Sequence, residues 1–318
     1  MARRTPLTIG GIDVAAGRRA RVELPVSKLV TGAQMSIPVV AIHGKTSGPN
    51  VWVNAALHGD EINGVEIINR VLADVDPKTM AGTLIAVPVV NVHGFVTGDR
   101  YLPDRRDLNR SFPGSKSGSL ASRLAHIFMT EIVDRCDVGI DLHTASDHRT
   151  NLPQIRANLD DAGTVELAEV FGASVMMHSK SRSGSLRGSA TKIGKTVLLY
   201  EGGEALRFDQ SAIAAGEAGV RRVLAHLGMI DGAPESIEPR RVSRSSGWVR
   251  ATRSGIVHLD IETGDAVEKR QSLGIVADAM GKRLSTVRAT RTGLVVGRTL
   301  YPMANKGDAL VHVATLDE

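Results

Sequence analysis

A histidine and a glutamate stand three positions apart at 56–61 (ALHGDE), just after a strand-like run. On the first turn of a helix, residues i and i+3 face the same way, so His58 and Glu61 can converge on one point, as metal ligands would. Acidic residues also favour helix starts, which offers the alternative of a polar helix start. The pair by itself leaves both interpretations open.

A second histidine, His143, ends another strand-like run at 140–144 (IDLHT). Two histidines and one glutamate, with water in the fourth position, are a common catalytic zinc set. Asp141 lies two residues earlier, on the same strand face, where it can orient the imidazole. His58, Glu61 and His143 are therefore candidate ligands for such a zinc ion. The alternative is that His143 is a buried, hydrogen-bonded histidine that binds no metal. This alternative is less favoured if all three residues lie at one edge of the sheet.

Two further patterns supply what hydrolysis needs besides a metal. Asn109 and Arg110 are adjacent in a predicted loop. Arginine can bind a substrate carboxylate through two parallel hydrogen bonds, and asparagine adds a donor. Glu201 ends a strand-like run before two glycines at 198–204 (LLYEGGE). We interpret Glu201 as the base that takes a proton from the attacking water and returns it to the leaving amine.

These residues require elements that bring several strand ends to one edge. Buried strands are predicted at 51–57, 83–92, 136–142 and 196–200, alternating with helices at 62–75, 119–135 and 164–173. The alternation predicts an α/β fold with a mixed, mostly parallel sheet and helices on both faces. Ligand sites in such sheets lie at the carboxyl ends of the strands.

The last quarter of the chain differs from the rest in composition and in its pattern of predicted elements. Residues 231–246 are rich in Pro, Ser, Glu and Arg, as linkers are, and short strands separated by Gly-Asp and Thr-Gly turns follow. ATRSGIVHL and ATRTGLVVG resemble an internal repeat. We predict a catalytic domain at 1–235 and a small all-β, barrel-sandwich-like domain at 236–318.

Composition narrows the function. Aromatic residues make up 3% of the 318-residue chain and the net charge of +5 is scattered, so no nucleic-acid partner is predicted. No apolar segment is long enough for a transmembrane helix, and MARRTPLTIGG lacks the apolar stretch of a signal peptide, so no membrane association is predicted. The single cysteine, Cys136, excludes an internal disulfide and a multi-cysteine zinc site, and it fits a cytoplasmic location.

Four motifs, in order and at approximate spacing, resemble the succinylglutamate desuccinylase/aspartoacylase family, a branch of the zinc carboxypeptidase-like enzymes. The family's H-G-x-E, D-L-N-R, D-L-H and strand-end Glu correspond to 58–61, 107–110, 141–143 and Glu201. The resemblance extends from about residue 40 to 230, and it implies a zinc-carboxypeptidase-like fold.

The resemblance also assigns roles. It implies zinc on His58, Glu61 and His143, Glu201 as general base and acid, and Asn109 and Arg110 on the substrate carboxylate. An arginine shortly before D-L-N-R polarises the scissile carbonyl in relatives, and Arg100 is the best match, with two extra residues between. A second substrate-binding arginine precedes the catalytic glutamate and matches Arg187, at a longer interval than in relatives.

The predicted function is a zinc-dependent amidohydrolase, a hydrolase of linear amide bonds that deacylates a small N-acyl amino acid. One alternative is a zinc carboxypeptidase acting on peptides. Another alternative is a non-catalytic binding or carrier protein that uses the β-rich domain. In a carrier domain Lys282 (DAMGKR) would be modified, whereas the other interpretation of this segment is an unmodified hairpin turn. Residues 178–195 are interpreted as either a mobile lid or an inert loop. The resemblance also allows a homo-oligomer.

Overall fold

The structure is a computed structural model that describes residues 4–146, 148–235 and 241–317. Its helices are α1 (Asn63–Asp74), α2 (Val92–Thr97), α3 (Leu120–Glu131), α4 (Ala162–Phe171), α5 (Leu186–Lys192) and α6 (Gln210–His226). Its first strands are β1 (Leu7–Ile9), β2 (Ile12–Val14), β3 (Arg18–Lys28), β4 (Gln34–His43), β5 (Thr46–Ala55), β6 (Ala81–Val87), β7 (Val138–His143), β8 (Arg149–Ala157), β9 (Val175–His178) and β10 (Thr196–Glu204). The remaining strands are β11 (Val242–Ser243), β12 (Ser245–Arg250), β13 (Gly255–Leu259), β14 (Ala266–Val267), β15 (Ser272–Ala277), β16 (Arg283–Arg288), β17 (Gly293–Thr299), β18 (Met303–Ala304) and β19 (Ala309–Thr315).

One large mixed sheet runs through the structure in the order β12-β19-β17-β8-β10-β7-β5-β6-β4-β3. The four strands β10, β7, β5 and β6 at its centre are parallel, as predicted. The strands on either side of this centre pair antiparallel with their neighbours in the sheet. The predicted mixed α/β fold is therefore confirmed. Along this path, however, only the strands at the centre of the sheet pair in parallel. Residues 29–33, for example, join β3 to β4 and are too few for the crossover that a parallel pair requires.

Helices cover both faces of the sheet. On one face α1, α4 and α6 bury Ile67, Phe171 and Val220 in a common core. On the other face α3 buries Leu124 and Phe128 in a second core. Each such side chain stabilises the fold by roughly 1.5–3 kcal/mol relative to an exposed one. These cores hold the central strands in place, so their carboxyl ends form a well-defined edge. Within the described ranges, no helix is both long and apolar enough to cross a membrane.

The described chain beyond residue 241 is built of strands and turns. Strands β12, β17 and β19 continue the large sheet, and β17 pairs with β8. A second sheet, β16-β15-β13-β18, packs against them around Val257, Val276 and Val311. The predicted domain boundary adjoins residues 236–240, which lie outside the described residues, so the division into two domains stays a prediction.

Three local predictions differ from the structure. The strand predicted at 83–92 ends at Val87, and α2 begins at Val92. The segment 178–195, predicted as a loop, contains α5, whose residues 186–190 are buried. Strand β8 was not predicted, because its sequence RTNLPQIRA contains a proline and does not alternate apolar with polar residues.

Candidate active site

The carboxyl ends of β5, β7 and β10 meet at one edge of the sheet. His143 ends β7, and Glu201 lies beside it in the parallel register of β10. The turn after β5 brings in His58 and Glu61, and these side chains line a cavity of about 470 Å³. All the residues predicted for the site line this cavity: His58, Glu61, Arg100, Asn109, Arg110, His143, Arg187 and Glu201.

His58 and Glu61 lie in the turn before α1, not in its first helical turn as predicted, since the helix begins at Asn63. The turn is sharp: Ala56 has a positive φ of 46°. A side chain at Gly59 would place its Cβ 2.0 Å from the backbone of α2, so only glycine fits there. The tight path nevertheless directs both side chains to one place, with His58 Nδ1 2.7 Å from Glu61 Oε1.

Glu61 lies between the two histidines. Its Oε1 contacts His58 Nδ1, and its Oε2 lies 2.6 Å from His143 Nδ1. Burial would raise the pKa of Glu61, but the two histidines hold it well below its usual range, so the carboxylate is ionised. One donor atom from each residue lies within 4.8 Å of the others, and all three side chains are buried. This buried group could hold a metal ion.

A carboxylate stands behind each imidazole. His58 Nε2 lies 3.2 Å from Asp107 Oδ1, and His143 Nε2 lies 3.0 Å from Asp141 Oδ2. Such partners favour the ring proton on Nε2, which leaves Nδ1 free to bind a metal. Burial opposes the charge on Asp107, but His58 and Arg100 lower its pKa overall. Asp141 was predicted in this role, whereas the contact of Asp107 was not.

A buried chain of hydrogen bonds holds Asp141. Trp52 Nε1 donates to Asn54 Oδ1 at 2.9 Å, and Asn54 Nδ2 donates to Asp141 Oδ1 at 2.6 Å. Trp52 fits because Gly139 faces it on β7, where a Cβ would come within 2.0 Å of the indole. The sequence signal for this chain is a polar Asn54 inside an otherwise apolar strand, since a buried amide requires partners.

We expect Asp141→Asn to weaken metal binding by about 10- to 100-fold, because the neutral amide removes the negative charge that lies 3.0 Å from His143 Nε2. Competition with a chromogenic chelator measures the affinity. Asp137→Asn is the matched control and should keep wild-type affinity. Asp137 is a carboxylate of the same segment, but it accepts a hydrogen bond from the Asn50 backbone N–H at 2.9 Å. Unchanged affinity in Asp141→Asn would show that Asp141 does not support the metal ligand.

Arg100 reaches the same cluster from the loop after α2. Its Nη1 lies 3.3 Å from Glu61 Oε1 and 3.2 Å from His58 Nδ1, and its Nη2 lies 3.0 Å from Asp107 Oδ2. Although burial works against the charge, Glu61 and then Asp107 raise the pKa of Arg100. The guanidinium is therefore fixed and charged beside the candidate metal ligands. Its predicted role on the scissile carbonyl stays a prediction.

The Asn109-Arg110 loop is tied to α5. Asn109 Oδ1 accepts a hydrogen bond from the Leu186 backbone N–H at 2.9 Å, so its amide NH₂ group is the part left for a ligand. Arg110 Nη1 donates to the Asn109 carbonyl at 2.6 Å. Arg187, in the same helix α5, is buried and donates to the Ser179 carbonyl at 2.9 Å. Burial lowers the pKa of Arg187, and Arg156 lowers it further.

Strand β8 adds two residues that the sequence did not identify. Asn151 Nδ2 donates to Glu201 Oε2 at 2.5 Å, and Arg156 Nη2 lies 3.3 Å from the same oxygen. Both come from a strand that pairs antiparallel with β10. They hold one oxygen of Glu201, while its Oε1 makes no hydrogen bond within the described ranges. An NxxxxR spacing carries no general signal, so only the strand pairing reveals these residues.

Asn151→Ala should lower kcat about tenfold and leave KM and metal content nearly unchanged, because the freed Glu201 carboxylate samples unproductive orientations. Asn158→Ala, in the loop after β8, serves as a control outside the cavity. Steady-state kinetics with metal analysis gives the readout. A change in KM alone would mean that Asn151 contacts the substrate and does not position Glu201.

Residues 47–227 match the family model described as the succinylglutamate desuccinylase/aspartoacylase catalytic domain. N-alpha-acetyl-L-2,4-diaminobutyric acid deacetylase of Halomonas elongata is 28% identical over 312 residues, covering 93% of this chain and 91% of the relative.

Two solved structures share the fold. A succinylglutamate desuccinylase/aspartoacylase from Rhodobacter sphaeroides is 26% identical, with a TM-score of 0.85 over 96% of this chain and 99% of that one. The product-bound ectoine utilization protein EutE (DoeB) from Ruegeria pomeroyi is 24% identical, with a TM-score of 0.85 over 98% and 100%.

The family match covers more than half of the chain, including every motif on which the resemblance depends. The predicted class of enzyme, a hydrolase acting on linear amide bonds, is confirmed with it. This chain belongs to the succinylglutamate desuccinylase/aspartoacylase family.

Proposed function

We propose that this chain is a zinc-dependent amidohydrolase that removes the acyl group from a small N-acyl amino acid. The buried group of His58, Glu61 and His143, with Glu201 on the next strand, is the observation that carries this proposal. The name of the Halomonas relative, an N-acetyl-diaminobutyric acid deacetylase, supports the reaction class. In this proposal residues 1–235 perform the chemistry, and 236–318 form a small barrel-sandwich-like all-β domain beside the cavity.

His58, Glu61 and His143 would hold one zinc ion per chain. Two imidazole nitrogens and one carboxylate are the donors of many catalytic zinc sites, and the carboxylates of Asp107 and Asp141 leave both Nδ1 atoms available. When bound, zinc supplies a Lewis acid that polarises an amide carbonyl and lowers the pKa of water.

The other residues would bind the substrate and move the proton. Arg110 and the Asn109 amide bind the substrate carboxylate, with Arg187 as a second cation. Arg100 donates to the amide oxygen as negative charge develops there. Glu201 takes a proton from the attacking water and delivers it to the nitrogen as the C–N bond breaks. The products are a free carboxylic acid and an amino acid.

The partner in this proposal is the small N-acyl amino acid, and neither nucleic acid nor membrane takes part. The scattered charge, the few aromatic residues and the single cysteine support that choice and a cytoplasmic location.

Metal analysis combined with a substrate panel tests the function. The purified protein should contain about one zinc per chain and hydrolyse at least one N-acetyl or N-succinyl amino acid. Short peptides with a free carboxyl terminus form the second arm of the panel. Hydrolysis of peptides but not of N-acyl amino acids would establish the carboxypeptidase alternative, and no hydrolysis by zinc-loaded protein would contradict both.

A further inference from the structure

A second cavity lies behind one wall of the active-site cavity. Its volume is about 460 Å³, close to that of the active site, and nearly all the residues that line it have polar side chains. It forms where β8 and β9 end and β10 begins, so it lies toward the other end of β10 from Glu201. The two cavities share Ser179, Lys180 and Arg187, which therefore lie between them.

Arg187 is the buried cation of this shared wall. It is 8% exposed, and its guanidinium donates to the carbonyls of Arg156 and Ser179 at 2.8 and 2.9 Å. Burial and then Arg156 lower its pKa, and the carboxylates of Asp141 and Glu201, which it does not contact, offset this only in part. A buried guanidinium that is bonded to neutral oxygens favours an anion beside it, because burying an unpaired charge is costly.

Two lysines add to the positive charge of the second cavity. Lys195, in the turn between α5 and β10, lines this cavity but not the active site, whereas Lys180 lines both. Among the described residues, neither lysine has a carboxylate within salt-bridge distance. Their ammonium groups therefore remain available to a ligand.

The two carboxylates of the second cavity are already bonded to other groups. Asp161 Oδ2 accepts hydrogen bonds from the Thr164 backbone N–H and hydroxyl at 2.8 and 2.6 Å, which caps α4. Asp160 Oδ1 accepts from Arg244 Nη1 at 2.6 Å, and Arg244 stands outside the cavity lining. The charge left over in the cavity is therefore positive, as an anion site requires.

We infer that the second cavity binds a small anion, carrying a carboxylate or a phosphate group, between Lys180, Lys195 and Arg187. A volume of about 460 Å³ is within the usual range of small-molecule sites. An anion there neutralises Arg187 from behind, lowers the positive potential of the active-site cavity and so weakens the binding of an anionic substrate. The binding stands independently of the proposed function, and only this effect on the substrate rests on it.

Lysine labelling locates the anion without any turnover. The protein is treated with an amine-acetylating reagent alone, with inorganic phosphate or with succinate, at constant ionic strength, and each lysine is quantified by mass spectrometry. One of the two anions should protect both Lys195 and Lys180. Lys192, exposed at the end of α5 and outside both linings, is the internal control and should keep its labelling. Protection of Lys180 alone, or of neither lysine, would overturn the inference.

Kinetics tests the coupling to the active site. At saturation the protecting anion should raise KM for an N-acyl amino acid by about fivefold or more and leave kcat nearly unchanged. Lys195→Gln should remove most of that increase, and Lys192→Gln, the matched control, should retain it. An increase that survives Lys195→Gln would show that the anion competes in the active site, which contradicts the coupling. Absence of any hydrolysis contradicts the proposed function instead, while protection of Lys195 still establishes the anion site.

Discussion

Replacing Glu201 with glutamine is expected to lower kcat by about 10²–10⁴-fold, the usual contribution of a general acid–base group. Glutamine has nearly the same size, and its side-chain oxygen can still accept the hydrogen bond from Asn151. It cannot take a proton from water at neutral pH. Metal content, KM and thermal stability should therefore stay close to wild type, which steady-state kinetics, metal analysis and thermal denaturation measure together.

Glu204→Gln is the matched control for that experiment. Glu204 ends the same strand, β10, and pairs with exposed Arg207 at 2.9 Å, outside the cavity lining. Replacing Glu204 should change kcat by less than about twofold, since this partly exposed ion pair lies outside the cavity lining. If Glu201→Gln kept nearly full activity while Glu204→Gln lost it, the assignment of the base would be wrong.

Glu61→Gln should remove both the metal and the activity. The carboxylate of Glu61 contacts both histidines, and a neutral amide supplies neither its charge nor an equivalent metal ligand. Metal binding stabilises the folded state by about 2.7 kcal/mol at a free metal concentration 100 times Kd. We therefore expect a chelator to lower the Tm of the wild-type protein and zinc to restore it. Glu61→Gln should show neither shift, because it has no metal to lose or regain.

Glu66→Gln provides the control for Glu61→Gln. Glu66 lies one turn into α1, where it bonds to Arg70 at 2.9 Å on a partly exposed face. This variant should bind about one metal ion per chain and respond to chelator as wild type does. Full metal content in Glu61→Gln, with Tm still raised by zinc, would place the metal elsewhere.

Much of the candidate site could be predicted because it depends on strand ends. His143 and Glu201 end neighbouring apolar runs, and parallel strands bring such ends to the same edge. The pattern could not show how His58 and Glu61 converge. The sequence suggested a helical turn, whereas the structure has a sharp turn at Ala56 and a close backbone approach at Gly59. The spacing of His58 and Glu61 correctly indicated that they converge, but the helical conformation predicted for them was wrong.

The residues that were missed all act across long separations in the chain. Asn151 and Arg156 reach Glu201 only because β8 pairs with β10, and Asp107 reaches His58 from a loop 49 residues away. Trp248 reaches the cavity through three successive strand pairings. None of these contacts leaves a periodic trace in the sequence, because they depend on which strands become neighbours in the sheet.

By itself, the sequence determined the α/β class, the order of the motifs and the residue types that gather at one sheet edge, since hydrophobic periodicity and strand-end positions are local properties. Only the tertiary structure decided which partners orient those residues: Asp107 behind His58, and Asn151 on Glu201. The physical reason is that hydrogen bonds and ring contacts act over a few ångströms. Sheet order and packing, not sequence spacing, set which side chains come that close.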